Sequence, residues 1–127
     1  MSRTAAPTAS FVIPVYNEEA LLPSAVNDLV VNLADQLPDL TYEIIITENG
    51  STDDTLEFGY KLERKYEQVR VLHSPEPNYG RALRRGILEA RGDFVLCDEI
   101  DICDVEFHKR ALAILQADQA DMVVGSK

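Results

Sequence analysis

Four carboxylates crowd the segment "VLCDEIDICD", which spans residues 95–104. Asp98, Glu99, Asp101 and Asp104 lie in or just after the apolar run Phe94-Val95-Leu96-Cys97, and Asp93 precedes it. Like charges so close together repel, and an apolar strand is a poor host for them. A bound cation would resolve the conflict. Side chains alternate along a strand, so Glu99 and Asp101 point the same way, beyond the strand end. Their oxygens are hard ligands suited to Mg²⁺ or Mn²⁺, and Mg²⁺ is commonly held by one or two carboxylates together with substrate phosphates. Asp98 offers an alternative ligand one step earlier. The competing explanation is a solvated acidic loop.

Other polar clusters also follow apolar runs. Pro14, Tyr16, Asn17 and Glu18 close the first, and Glu48-Asn49-Gly50-Ser51 closes the second. Taken alone, Asn49-Gly50-Ser51 reads as a turn plus a helix cap. "SPEPNYG" is a turn-rich loop leading into a helix whose first turns carry Arg81, Arg84 and Arg85. Basic residues there oppose the helix dipole, a cost that a bound anion would offset. Arg81, nearest the strand ends, is the candidate for that role, whereas Arg84 and Arg85 read as solvated charges. His73 and His108 lack partners at metal-ligand spacing and read as structural. No Ser/His/Asp or Cys/His nucleophile arrangement can be argued.

The elements that must position these residues follow from apolar periodicity. Ser10 to Val15 predicts a strand, and Leu22, Ala25, Val26, Leu29 and Leu33 predict a helix from about Glu19 to Gln36, stopped by Pro38. Tyr42 to Thr47, with Ile44-Ile45-Ile46, suits a strand covered on both sides. Ser51 and Asp54 form a capping-box pattern, predicting a second helix from about Thr52 to Tyr66 with the stripe Phe58, Leu62, Tyr66. A third strand is expected at Val69 to His73. Ala82, Leu83, Gly86, Ile87 and Ala90 mark one face of a helix ended by Arg91-Gly92. A fourth strand, Phe94 to Cys97, precedes a helix carrying Phe107, Ala111, Ile114 and Leu115, and Met122 to Val124 suggests a fifth strand. Alternating strands and helices imply a three-layer α/β/α domain with a mostly parallel sheet. Ligands of such sheets bind beyond the carboxyl ends of the strands, where all the unusual polar residues fall.

At 127 residues, with 46% hydrophobic content, the chain suits one domain with a packed core. Its net charge of −10 argues against nucleic acid, which needs a basic face, and against adsorption to an anionic membrane. Cys97 and Cys103 sit in no metal or redox spacing and suit a reduced interior. The N-terminus lacks a signal-peptide core, and no run approaches the ~20 apolar residues of a membrane span, so a cytoplasmic protein is expected.

Four blocks together resemble the family 2 glycosyltransferases, inverting enzymes of the GT-A fold that use nucleotide-diphosphate sugars. They are "FVIPVYNEEALL", "YEIIITENGSTDDT", "NYGRALRRGILEARGDFVLCDEID" and "DMVVGSK". The sequence is most similar to the branch of dolichyl- and polyprenyl-phosphate sugar transferases. The resemblance implies a Rossmann-like, truncated GT-A fold, in which Pro14, Tyr16, Asn17 and Glu18 wrap the nucleoside. Glu48 addresses the base, with Asn49, Gly50 and Ser51 beside it. Asn78, Gly80 and Arg81 lie against the nucleotide, and Glu99-Ile100-Asp101 takes the Asp-x-Asp metal position. Two departures are visible: Glu48-Asn49 replaces a pair of aspartates, and the metal motif reads Glu-x-Asp. Members of the family continue for roughly another half, which supplies the acceptor site and the general base. Residues 1–127 are therefore expected to form the nucleotide-sugar-binding portion, binding a UDP- or GDP-sugar with Mg²⁺ or Mn²⁺. The catalytic base is expected beyond residue 127. An exposed surface where the other half would pack invites self-association. A lipid-phosphate acceptor would bring the protein to a membrane surface.

Two other classes compete. One is a nucleotide-binding module without catalysis. The other is a receiver-like signalling domain, which would need a phospho-acceptor aspartate ending a central strand; the second strand ends in Thr47-Glu48 instead.

Overall fold

The computed structural model describes residues 6–101 and 103–118. Among these residues four strands, β1 (Ala9–Val15), β2 (Tyr42–Asn49), β3 (Val69–Ser74) and β4 (Phe94–Cys97), form one sheet in the order β3-β2-β1-β4. Every pairing is parallel, with Phe11 opposite Ile44 on one side and Leu96 on the other. β1 and most of β2 are buried along their whole length, as expected of apolar runs covered on both faces.

Alternation divides the side chains between two layers. Phe11, Ile13, Ile44, Ile46 and Leu96 face a core with Leu22, Val26, Leu29 and Leu33 of α1 (Leu22–Gln36). Leu62 of α2 (Thr55–Lys65) joins that core, as do Val105 and Leu112 of α4 (Val105–Gln116). α3 (Tyr79–Glu89) covers the opposite face, over Val12 and Thr47. Its approach there is close because residue 86 has no side chain: a Cβ at Gly86 would fall 2.3 Å from Val12 Cγ1. The three-layer, parallel α/β architecture read from the sequence is the one observed.

Two helix starts differ from expectation. α1 begins at Leu22, because the Glu18 carbonyl accepts the N–H groups of Leu21 and Leu22 in a preceding turn and Pro23 occupies the first helical turn. Pro lacks an N–H that a first turn leaves unpaired anyway. α2 begins at Thr55, since the Ser51/Asp54 capping box does not form. The Ser51 hydroxyl accepts from Asn17 N–H instead, and Asp53 accepts from Thr55 N–H at 2.9 Å. The strand expected at Met122 to Val124 lies outside the described residues. Among the described residues no helix is long and apolar enough to cross a membrane.

At the amino edge of the sheet, Glu43 is buried and gathers three elements. Its Oε2 accepts from Ser10 Oγ at 2.6 Å and Arg91 N–H at 2.7 Å, and its Oε1 accepts from Arg70 Nη2 at 3.2 Å. Burial pushes the carboxyl upward, but the bonds from Ser10 and Arg91 and the Arg70 charge outweigh it, leaving the pKa below its ordinary 4.5. A group with a depressed folded pKa stabilises the fold above its unfolded pKa and loses that contribution as pH falls through the folded value. Glu43→Gln should therefore lower the urea midpoint at pH 7 and flatten its decline on acidification. An unchanged acid limb would remove this role. Gly86→Ala should cost about 1–3 kcal/mol in the same assay, through overpacking against Val12.

Candidate functional site: the cleft at the carboxyl edge

The chain runs outward from β1 to β3, then returns to lay β4 on the other side of β1, so strand order reverses between β1 and β4. Parallel sheets bind ligands at such a reversal. A cleft of about 550 Å³ opens there. Pro14, Tyr16, Glu18 and Leu21 line it from the end of β1, and Asn49 from β2. Pro77, Asn78 and Tyr79 enter from the start of α3, and Glu99, Ile100 and Asp101 from beyond β4.

The cleft walls are sewn together by short polar side chains. Asn49 Nδ2 donates to the Val15 carbonyl at 2.8 Å, and its Oδ1 accepts Asn78 N–H at 3.0 Å, so one amide ties the ends of β1 and β2 to the start of α3. Asn17, at φ 51°, accepts Thr52 N–H at 2.8 Å. Glu18 N–H donates to Thr55 Oγ1 at 2.8 Å. Desolvation pushes the Asp53 carboxyl upward, but the hydroxyl and N–H it accepts from Thr55, with the Glu19 N–H, together outweigh it and hold its pKa below the ordinary value. Gly50, at φ +66°, packs so closely on the next loop that a Cβ would sit 2.6 Å from Pro77 N. Asn17, Gly50 and Ser51 thus shape the cleft from behind without lining it.

Glu48, which the resemblance assigns to the base, is not among the residues lining the cleft. It is buried, with Oε1 against His73 Nδ1 at 2.5 Å and Oε2 accepting Ser51 N–H. Both oxygens are engaged by these partners. Arg81 also stands outside the cleft lining: its side chain is 68% exposed and its Nη1 lies 3.9 Å from Glu76 Oε2. Its main chain contributes to the N-cap, donating to Asn78 Oδ1 at 3.0 Å. Gly80 adjoins the cleft, and the nearest atom to a Cβ there would be Asn78 Oδ1 at 3.8 Å.

The acidic run separates into distinct tasks. Glu99 and Asp101 line the cleft. Asp104 caps α4, its Oδ1 accepting from Glu106 N–H at 3.0 Å and Phe107 N–H at 3.3 Å. Asp98, the alternative ligand in the sequence reading, turns into the core, where its carboxylate lies 2.9 Å from His108 Nε2. Burial and the Asp98 and Asp101 charges push the Cys103 thiol up to about 12, and burial and the Asp98 charge raise Cys97. Burial and then Glu99 and Cys97 hold the Tyr79 hydroxyl above its ordinary pKa. Among the described residues no group of three or more His, Cys, Asp or Glu converges to hold a metal. Glu99 and Asp101 supply two hard carboxylates, a donor set fitting an ion that completes its shell with water and phosphate oxygens.

Leu21, Pro77, Tyr79 and Ile100 line the cleft without having been assigned a role from sequence. Tyr79 and Ile100 carried a signal, lying between Asn78 and Gly80 and between Glu99 and Asp101.

The fold is a parallel α/β domain with a cleft at the carboxyl edge of its sheet, and comparison with known proteins gives it a family. The model of glycosyl transferase family 2 matches residues 10–127, and the chain belongs to that family. It is 30% identical to the dolichyl-phosphate beta-glucosyltransferase ALG5C of Trichomonas vaginalis over 93% of its length, covering 38% of that protein. The human dolichyl-phosphate beta-glucosyltransferase is 34% identical over 84% of the chain, which covers 36% of it. The chain thus spans under two-fifths of the length of these relatives. TarS 1–349 of S. aureus, solved in complex with UDP, superposes with a TM-score of 0.68 at 26% identity, over 90% of this chain and 33% of that one. The mannosyltransferase PcManGT of Pyrobaculum calidifontis, solved with GDP-Man and Mn²⁺, shares the fold at a TM-score of 0.59 and 20% identity, over 77% of this chain and 28% of that one.

The open space at Gly80 suggests a place for ligand rather than for protein. Gly80→Ala should leave thermal stability unchanged or raise it by less than ~1 kcal/mol, through helix propensity. The same variant should weaken nucleoside-diphosphate binding in calorimetry. A parental affinity would show that no ligand approaches residue 80.

Proposed function

We propose that this chain is the donor-binding portion of a glycosyltransferase that moves a sugar from a UDP- or GDP-sugar to an acceptor, with a divalent cation at Glu99 and Asp101. One observation carries the reading. Among the described residues the cleft lining contains three carboxylates, Glu18, Glu99 and Asp101, and no Lys, Arg or His. An apolar floor of Pro14, Leu21 and Ile100 and the rings of Tyr16 and Tyr79 suit a nucleoside. Its diphosphate, however, would meet like charge, at about 4 kcal/mol per pair 4 Å apart near a protein surface. A cation between carboxylates and phosphates reconciles the two. UDP bound to TarS supports the donor class.

In this reading Pro14, Tyr16 and Glu18 hold the nucleoside, with Asn17, Glu48, Asn49, Gly50 and Ser51 fixing the wall beside it. Asn78 and Gly80 bring the start of α3 against the diphosphate. Arg81, exposed and only loosely paired, can swing to a phosphate oxygen. Glu99 and Asp101 would hold Mg²⁺ or Mn²⁺, which when bound supplies positive charge against the departing diphosphate. The acceptor displaces the diphosphate at the anomeric carbon with inversion, and its deprotonation is assigned to residues outside this cleft. The dolichyl-phosphate relatives favour a lipid phosphate as acceptor and hence a cytoplasmic protein working at a membrane surface. The chain's share of its relatives' length favours a second reading, in which these 127 residues bind donor without transferring it.

At ligand 100 times its Kd, UDP or GDP with Mn²⁺ should stabilise the chain by about 2.7 kcal/mol, measured as a shift in Tm. Glu99→Gln and Asp101→Asn should each remove most of the Mn²⁺-dependent part of that gain. No shift with any diphosphate at millimolar concentration, Mn²⁺ included, would defeat the proposal. Sugar transfer by the purified chain, abolished by Asp101→Asn, would exclude the binding-only reading.

A further inference from the structure

Asp98 occupies a position that the core layer would ordinarily give to an apolar side chain. It is two residues beyond Leu96 and so lies on the same face of the sheet, under α4. His108 shares the buried face of α4 with Val105, Ala111 and Leu112, and its ring packs on Phe11 with centroids 4.8 Å apart. The imidazole is 1% exposed and Asp98 8%. A carboxylate only accepts, so His108 Nε2–H donates across the 2.9 Å contact. His108 Nδ1 is buried and has no hydrogen-bond partner among the described residues. Such a buried polar pair is seldom the most stable solution, since two apolar side chains often do as well or better. Stability alone gives little reason for it.

Its place in the chain gives another. Asp98 N–H donates to the Val12 carbonyl at 2.9 Å, just past the last rung between β1 and β4. Asp98 is therefore held by its backbone to β1 and by its side chain to α4. The next residue is Glu99, and Asp101 follows two further on. Asp104 then caps the helix that carries His108. The short segment bearing both cleft carboxylates is clamped at one end by the Asp98–His108 bond and at the other by the α4 cap.

We propose that Asp98 and His108 are a positioning pair, which fixes Glu99 and Asp101 in the orientation that lets them share a cation with a bound diphosphate. The inference rests on the metal site assigned above. Neither residue lines the cleft or ligates the ion. Their contribution is pre-organisation: two carboxylates held ready bind an ion better than two on a loose loop, because less ordering remains to be done on binding.

Calorimetry of UDP and GDP binding with and without Mn²⁺ tests the pair on the full 127-residue chain. In the parent, Mn²⁺ should tighten diphosphate binding about tenfold or more, equivalent to ~1.4 kcal/mol. Asp98→Asn keeps an oxygen to accept from His108 and should preserve most of that enhancement. Asp98→Ala removes the clamp but leaves a neutral imidazole able to remain buried; it should lose most of the enhancement and leave metal-free affinity within about threefold, a change worth under 1.4 kcal/mol. The double variant Asp98→Leu/His108→Leu should melt at or above the parental temperature and still lose the enhancement, separating positioning from stability. Loss in both Asp98→Asn and Asp98→Ala would make Asp98 itself a ligand and overturn the inference. Retention in Asp98→Ala or in the double variant would make the pair a bystander and equally overturn it. A parent that shows no Mn²⁺ enhancement would instead defeat the metal site itself, and the positioning pair with it.

Discussion

β1 organises the edge that carries the cleft. It bonds to β2 along one side and β4 along the other, and all seven of its residues are buried. Its two faces carry different layers, Phe11 and Ile13 toward α1 and α4, Val12 toward α3. A parallel strand in that position cannot slip by one residue, since a slip would exchange the two layers. With register fixed, the ends of β1, β2 and β4 arrive at one edge in fixed relation. Val15 carbonyl then meets the Asn49 amide, and Val12 carbonyl meets Asp98 N–H. The cleft is a consequence of that edge, and so is the placing of the cleft carboxylates.

Electrostatics shapes the same edge. A chain with net charge −10 concentrates carboxylates where a diphosphate would bind. The structure relieves the crowding by division: one carboxylate turned into the core against an imidazole, one used as a helix cap, two left to the cleft. Asp104 at the start of α4 is favourably placed against the helix dipole. Asp98 is removed from the repulsion by burial and by its hydrogen bond. The remaining pair faces open volume. The repulsion that remains is what a divalent cation neutralises, which makes metal and diphosphate binding mutually dependent in the proposed site.

Strand periodicity and the βα alternation were legible because local pattern and tertiary burial agree: Phe94–Cys97 as a strand matches residue for residue, and the other three observed strands differ only at their ends. The helix starts were less legible. Ser51 and Asp54 have the spacing of a capping box, yet the loop from β1 competes for Ser51 through Asn17 N–H, a partner 34 residues away that no local window contains. Site residues divide in the same way. Tyr16, Glu18, Asn49 and Asn78 sit at strand ends or a helix cap, and topology alone brings them to the cleft. Tyr79 and Leu21 enter it through the angle at which a helix begins, which periodicity does not encode. His108 reads as structural from sequence and is buried against Phe11, while its partner Asp98, ten residues back on another element, is visible only once α4 is folded over β4.

Read as a unit, Glu48-Asn49 differs from the aspartate pair of the family signature in a way the geometry accommodates. Asn49 donates to one carbonyl and accepts from one amide. An aspartate there could accept from Asn78 but would set a second oxygen 2.8 Å from the Val15 carbonyl, a repulsive contact where the amide makes a bond. It would also add negative charge beside a lining that already holds Glu18, Glu99 and Asp101. Glu48, one methylene longer than aspartate, reaches His73 on β3 and Ser51 N–H in the following turn. The two departures are therefore coupled. The longer acid ties β2 to β3, while the neutral amide ties β2 to β1 and α3, so the carboxyl end of β2 is braced on both sides with no charged side chain of its own in the cleft lining.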